Sequence, residues 1–304
     1  TDPAMFDQKG WIQAFHFDGT TAHAYSHQDY FGTRTSEPGC HDAGTTDGLP
    51  YCWYASIGHW RGTPSAGGAI TFAKSAAAPG HGAIYPHVQY PGHSGTPLAG
   101  WIGYGTPSNI IRGRTSTGAL DGYSYMFVYT NSGTLGQAKG VCLFRSADPA
   151  DGTSWRAWNG STSAPAFTQA MGNPYTTTNS ACAAATPTRL TTGVRGVLWH
   201  KPSRHYVAVL TSANAVRYTT SPDLLTWSPL QTLHTIASSQ AQYPVLVDFD
   251  GGDWGDVNFD RLYSNGNAYI VVRESVVSGH TRIVRHKFEV TNYAADVPSS
   301  SNPG

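Results

Sequence analysis

Three side chains capable of acid–base chemistry fall within residues 22–32, AHAYSHQDYFG: His23, His27 and Asp29. An extended backbone alternates its side chains between two faces, so His23, Tyr25, His27 and Asp29 are expected to share one. A carboxylate beside two imidazoles is costly to bury unless the groups satisfy one another. Asp29 is the candidate base or nucleophile, with His27 beside it to tune the carboxyl and handle a proton. The plainer reading of the same run is a solvated, His-rich loop.

A partner acid is harder to find. The glutamates are Glu37, Glu274 and Glu289. Glu274, in VVRES, is the best candidate acid among them. Its plainer role is an ion pair with Arg273 or Arg282 on a sheet surface. The stretch 248–260, DFDGGDWGDVNFD, carries five aspartates. Asp248 ends a strand-like run and is a second candidate acid, while Asp253 and Asp256 flank Trp254, a platform on which a ring can stack. A structural calcium loop is the other reading of this stretch, although no Glu closes an EF-hand spacing. No metal is assigned to the site itself.

Histidine is abundant, at 13 residues. His81, His87 and His93 lie in one Gly/Pro-rich segment, PGHGAIYPHVQYPGH, and His200 ends the run GVLWH. With His27 and Asp29 they offer metal ligands or an acid–base set. His27, His87, Tyr30, Tyr85, Arg34 and Arg112 also supply what β-elimination of a uronate requires. That reaction needs a base at C5, a proton donor to the leaving oxygen and a cation for the carboxylate. There is no G-x-S-x-G turn for Ser-His-Asp hydrolysis, no P-loop and no dinucleotide fingerprint.

The elements that must position these groups are strands. Charged residues are 12% of the chain and the formal net charge is zero, which gives no electrostatic footprint for nucleic acid or an anionic membrane. With 34 Gly, 19 Pro and 12% aromatics, the composition suits short strands and tight turns. Period-2 runs occupy residues 11–17, 22–32, 52–59, 69–74, 101–104, 108–112, 123–129, 141–146, 196–200, 205–210, 216–220, 243–249, 267–273 and 282–290. Residues 75–107 and 159–187 read as mainly loop. No apolar run approaches the ~18 residues of a membrane helix. The opening Thr1-Asp2-Pro3-Ala4-Met5 reads as a processed end or a vector remnant, so that a cleaved leader could precede it. None of Cys40, Cys52, Cys142 and Cys182 forms a C-x-x-C pair. Of three pairings, Cys40–Cys52 and Cys142–Cys182 each close a modest loop and are favoured, which places the chain in an oxidising compartment.

Two hairpins echo each other: Arg145-Ser146-Ala147-Asp148 followed by Thr153-Ser154-Trp155, and residues 218–223 followed by Thr226-Trp227. In each, Ser and Asp bond the turn amides and the later Trp packs back on the hairpin. Repeated short sheets with such turns indicate a β-propeller with four clear blades, five-bladed once a fifth closes, with a β-sandwich as the alternative. The fifth blade requires residues 11–17 to close a sheet with the C-terminal strands. One domain over residues 1–304 is expected, with 1–8 and 296–304 as flexible ends.

The turn Ser-Pro-Asp-Leu-Leu-Thr-Trp at 221–227 is similar to blade turns of five-bladed glycoside hydrolases such as glycoside hydrolase family 43, and the 146–155 hairpin resembles a stretched sialidase Asp-box. His27-Gln28-Asp29-Tyr30-Phe31-Gly32, Cys52-Trp53-Tyr54 and Pro107-Ser108-Asn109-Ile110 resemble segments of uncharacterised secreted proteins of the same shape. The resemblance implies a secreted glycoside hydrolase that cleaves a plant or microbial polysaccharide or oligosaccharide in a central funnel. No cofactor is required, and a monomer is expected. Family members place two Asp and one Glu at the funnel. Asp29 matches the first Asp, Asn109 stands where the second is expected, and no Glu lies in the middle blades. The trio is therefore incomplete. A polysaccharide lyase using His and Tyr, and a non-catalytic lectin-like propeller, remain open beside the hydrolase. The resulting site is Asp29, Glu274, Asp248 and His27 for chemistry. His23, Tyr30, Trp53, His87, Asn109, His200 and Trp254 contact substrate, and Trp101 is a further stacking residue.

Overall fold

The computed structural model describes residues 2–32, 52–92, 102–130, 135–161, 166–184, 190, 192–212, 214–235, 241–249, 261–262, 268–275 and 281–288. Their regular structure is β-strand apart from short 3-10 turns. The first unit comprises β1 (Lys9–Phe17), β2 (Ala22–Phe31), β3 (Trp53–Pro64), β4 (Ile70–Lys74) and β5 (Gly82–Ile84). The second comprises β6 (Ile102–Pro107), β7 (Ile111–Arg114), β8 (Leu120–Thr130), β9 (Gly140–Ser146), β10 (Arg156–Trp158) and β11 (Phe167–Ala170). The third is β12 (Val194–His200), β13 (His205–Ser212), β14 (Ala215–Ser221) and β15 (Gln231–Thr235). β16 (Ala241–Asp248), β18 (Ala268–Ser275) and β19 (Thr281–Lys287) form the fourth, and the short β17 (Arg261–Leu262) runs parallel to β12. Parallel pairing of Tyr54 with Ile102 joins the first two units, while the strands within each unit are antiparallel.

Alternation along the strands explains how the units stack. On β8, Phe127 points into a core shared with Val197, Trp199, Leu210 and Trp227 of the third unit. The intervening Met126 and Val128 point the other way, into a core shared with Tyr25, Ile57 and Ile84 of the first unit. On β13, Tyr206, Ala208 and Leu210 face the second unit, while Val207 and Val209 face Leu246, Ile270 and Val272 of the fourth. A sheet buried on both faces has no polar side, which is why YSYMFVY and HYVAVL read as near-continuous apolar runs. Blade-like units stacked face to face in chain order match the expected propeller class and not a two-sheet sandwich.

Both echoing hairpins form as expected. Ser146 Oγ accepts from the Asp148 amide at 2.9 Å, Asp148 Oδ1 accepts from the Ala150 amide at 3.0 Å, and Trp155 is buried against Tyr25. Asp223 Oδ1 accepts from the amides of Leu225 (2.9 Å) and Thr226 (2.7 Å), and Trp227 is buried. Three expectations change. β1 pairs with β2 alone among the described strands, joined to it by a tight turn in which the Asp18 carboxylate accepts from the amides of Thr20 and Thr21. The first residues are not a loose end: Asp2 caps a 3-10 turn and Phe6 is buried against Tyr54, Tyr85 and Tyr175. Strands β5 and β11 lie in stretches expected to be mainly loop. Residues 296–304 lie outside the described residues.

Cys142 and Cys182 are disulfide-bonded, as expected. Cys52 is also disulfide-bonded, and its expected partner Cys40 lies outside the described residues. Buried Gln137 clasps the Cys142–Cys182 bridge. Its Oε1 accepts from Tyr104 Oη (2.7 Å) and the Cys182 amide (3.0 Å), and its Nε2 donates to the Cys182 carbonyl (3.1 Å). The bridge spans 40 residues, and a loop of that size contributes about 2–4 kcal/mol to stability. Replacing both cysteines by Ala should lower the unfolding free energy measured in urea by that amount, with a larger m-value because the unfolded chain loses its cross-link.

Candidate functional site

One cavity of about 690 Å³ is lined by residues from all four units. β1 supplies Trp11, Ile12 and Gln13; β2 supplies His27, Asp29 and Phe31; β3 supplies Trp53. Thr106, Pro107 and Tyr129 come from the second unit, Arg195 from the third, and Tyr243, Val245 and Arg273 from the fourth.

Asp29 is 1% exposed, so its carboxylate depends on protein partners. Trp53 Nε1 donates to its Oδ1. His27 Nε2 lies 2.8 Å from the same oxygen, close enough for an ion pair although out of line for a regular hydrogen bond. Asp29 Oδ2 has no hydrogen-bond partner among the described residues. The Trp53 ring stacks on His27 (5.9 Å between centroids) and on Phe31 (5.4 Å), and Trp11 meets both His27 and Phe31. One carboxylate oxygen is thus held and the other is buried without a hydrogen-bond partner among the described residues, inside an aromatic wall.

The register of β2 places Asp29 there. Gln28, on the opposite face, is wedged between Gly10 and Gly58. A Cβ on Gly10 would come within 2.6 Å of Gln28 Nε2, and one on Gly58 within 2.8 Å of Gln28 Cγ. Gln28 Nε2 donates to Ser26 Oγ (2.5 Å), which also accepts from Trp60 Nε1 (2.6 Å). A one-residue slip would carry Gln28 into a position with a side chain opposite, and would turn Asp29 away from the cavity.

Four further positions on the wall are β-bulges. The register breaks at Gln13 on β1, at Thr106 on β6, at Arg195 on β12 and at Tyr243-Pro244 on β16. Each bulge lies on the first strand of its unit, and each turns an extra side chain into the cavity. Thr106 and Tyr243 hold left-handed backbone, with φ of 48° and 54°, a conformation that costs an L-residue energy and collects at functional sites. Burial pulls the Arg195 guanidinium below its usual range, although an arginine stays charged. Its guanidinium carbon lies 5.0 Å from the Tyr243 ring. Burial also raises the Tyr129 phenol, which keeps it protonated.

His27, Asp29 and Trp53 come together as expected. His23 shares their face but sits further along β2, away from the cavity: its Nε2 lies 3.1 Å from Asp18 Oδ2 and its Nδ1 lies 3.1 Å from His59 Nε2. Tyr30 alternates to the opposite face and packs with Phe6 and Tyr54. Glu274 also points away, because its neighbour Arg273 takes the cavity side; its Oε2 accepts from Arg282 Nε (3.0 Å) and Nη2 (2.9 Å). Asp248 is half-buried at the end of β16 and does not line the cavity. Asn109 ties the second unit to the third by exchanging hydrogen bonds with Val197 N and O, both at 2.8 Å. His87 Nε2 lies 2.6 Å from the Leu135 carbonyl oxygen, and His200 Nδ1 lies 2.7 Å from Ser203 Oγ; neither lines the cavity. Trp101, Trp254, His93, Arg34 and the acidic stretch from Asp250 to Asp260 lie outside the described residues. Among the described residues, Asp29 is the one carboxylate on the cavity wall. Gln13, Thr106, Tyr129, Arg195, Tyr243 and Arg273 were not singled out from the sequence. A proline inside a strand-like run, as in GTP and QYP, is the bulge signal that marks two of these positions.

No protein-family model matches the chain, and no curated protein matches it. Solved structures with related geometry include β-fructofuranosidase from Schwanniomyces occidentalis with fructosyl-erythritol (12% identity, TM-score 0.45, 96% of this chain and 48% of that one). The same enzyme with fructose gives 11% identity and a TM-score of 0.44, again over 96% and 48%. Zg3597, a family 117 glycoside hydrolase from Zobellia galactanivorans, gives 10% identity and a TM-score of 0.40 over 94% and 74%. The chain spans about half the length of the fructofuranosidase. No helix among the described residues is long and apolar enough to cross a membrane.

Two outcomes test this geometry. Gly58→Ala should cost about 1–3 kcal/mol despite the usual gain from replacing a strand glycine, and Gln28→Ala in the same chain should recover most of it in a urea-denaturation cycle. His59 is held down to about 4, chiefly by burial and then by His23 and Arg61. Its neutral form is favoured in the fold, so between about pH 6.5 and pH 4 the unfolded chain binds the proton first and stability falls as pH falls, by about 1.4 kcal/mol per unit of depression. Asp18, whose carboxyl is held far below its usual range by the Thr21 and Thr20 amides and then by His23, stays ionised across that window. A His59→Gln variant should show a shallower decline in melting temperature between pH 6.5 and pH 4.

Proposed function

We propose that the cavity binds a saccharide and that the chain is a carbohydrate-active enzyme, with glycosidic bond hydrolysis as the leading reading. The observation that carries this is Asp29. It is buried, with Oδ1 held by Trp53 and beside His27, and Oδ2 without a hydrogen-bond partner among the described residues, beneath a wall of Trp11, Phe31 and Trp53. Aromatic faces stack on the apolar faces of sugar rings. A held carboxylate beside a proton-carrying imidazole serves as base or nucleophile at an anomeric centre. A two-carboxylate mechanism needs partners about 5–5.5 Å or 6.5–9.5 Å apart, so in this reading the proton donor is His27 or a residue outside those described.

A second reading, polysaccharide lysis, is favoured by the opposite wall. Arg195 and Arg273 offer positive charge, and Tyr129 offers a neutral phenol, in the same cavity as Asp29 and His27. A uronate needs that combination of charge neutralisation and proton transfer. Secretion accords with the Cys142–Cys182 bridge.

Incubation with a panel of neutral and acidic polysaccharides separates the readings. New reducing ends without absorbance at 235 nm support hydrolysis, new absorbance there supports lysis, and binding without new ends leaves a lectin. Asp29→Asn should lower turnover by about 10²–10⁴-fold with an unchanged melting temperature. Undiminished turnover would remove Asp29 from the chemistry.

A further inference from the structure

We propose that the seam between the third and fourth units is a zinc site formed by His234, Glu274 and His286. Strand pairing brings the three together. His234 on β15 lies opposite Val216, which is buried in that seam. His286 on β19 lies opposite Ile270, and Glu274 lies on the Ile270 and Val272 face of β18. The donors therefore converge at the edge of an apolar core that joins two sheets.

The donor atoms cluster at ion-pair distance, beyond hydrogen-bond range. His286 Nε2 lies 3.6 Å from Glu274 Oε1, and His234 Nε2 lies 4.0 Å from it. All three ligand atoms fall within 4.8 Å of one another. The two imidazole rings are 3.8 Å apart between centroids. His286 Nε2 is buried and has no hydrogen-bond partner among the described residues. Two protonated imidazoles so close would repel, while two neutral ones leave lone pairs and a carboxylate oxygen converging on a single point. A divalent cation at that point satisfies all three.

The donor chemistry selects the ion. Two imidazoles and one carboxylate are a zinc donor set with a fourth position left for water. Calcium and magnesium take oxygen ligands in larger number. Zinc bonds of about 2.0–2.2 Å place tetrahedral donors roughly 3.3 Å apart, so donors that now lie within 4.8 Å of one another need to close by at most about 1.5 Å. Both rings are about a third exposed and have room to do so. Glu274 is already oriented, because Arg282 occupies Oε2 and leaves Oε1 for the ion. Bound there, zinc would cross-link β15 to β18 and β19, independently of any chemistry in the Asp29 cavity.

The test is zinc titration of the chelator-stripped full chain by calorimetry near neutral pH, beside a His234→Gln/His286→Gln double variant. The native chain should bind one more zinc equivalent than the variant. At a hundredfold excess over Kd its melting temperature should rise by about 5 °C, with no rise in the variant. Cobalt(II) should give the native chain, and not the variant, intense tetrahedral visible bands. Equal zinc uptake by the two chains, or none by the native chain, would overturn the site. If the double variant melts early without zinc, the single His234→Gln change, at a partly exposed ring, decides the comparison on the same readouts.

Discussion

Each middle sheet of this chain has two apolar faces and no solvent side of its own. β8 sends Phe127 to one neighbour and Met126 and Val128 to the other, and β13 divides its residues in the same way. Such a sheet is stable only when flanked, because burial of apolar area is the main favourable term in folding. The units therefore stack in chain order, and their stacking is what brings four first strands to one cavity. The Asn109 bridge to Val197 serves this stacking, while the Gln137 clasp on the disulfide braces the second unit itself. Neither touches the cavity.

Strict alternation would leave the cavity short of side chains, since the faces of these strands are committed to their neighbours. The four bulges resolve that conflict. Each adds one residue that belongs to neither face, and the four added residues, Gln13, Thr106, Arg195 and the Tyr243 step, differ in chemistry from amide to guanidinium to phenol. Asp29 reaches the cavity differently, from a continuous strand whose register is pinned by Gln28 against two glycines.

The all-β class, most strand positions and the two Asp-bearing hairpins were legible because period-2 runs and turn chemistry are local signals. The pairing of His27, Asp29 and Trp53 was legible for a related reason: alternation along 22–32 needs no bulge, and none occurs on β2. Local signals run out where the answer is non-local. Tyr30 was assigned to the cavity although alternation sends it to the other face. His23 lies on the predicted face but too far along the strand, where Asp18 and His59 take both its nitrogens. The scarcity of glutamates points to Glu274, yet which face of β18 meets the cavity depends on how β18 pairs with a bulged β16. Arg195 gave no signal at all, since a bulge at a Val-Arg-Gly step leaves no mark in the period.

The bulged positions also have a bearing on how this scaffold could diversify. A side chain outside the pairing alternation can be exchanged without disturbing the inter-sheet cores, so the cavity's charge and shape are separable from the stability of the fold. Gln13, Thr106, Arg195 and Tyr243 amount to four adjustable positions, one per unit, around a fixed Asp29. A combinatorial library confined to them would sample ligand preference while leaving the buried faces intact.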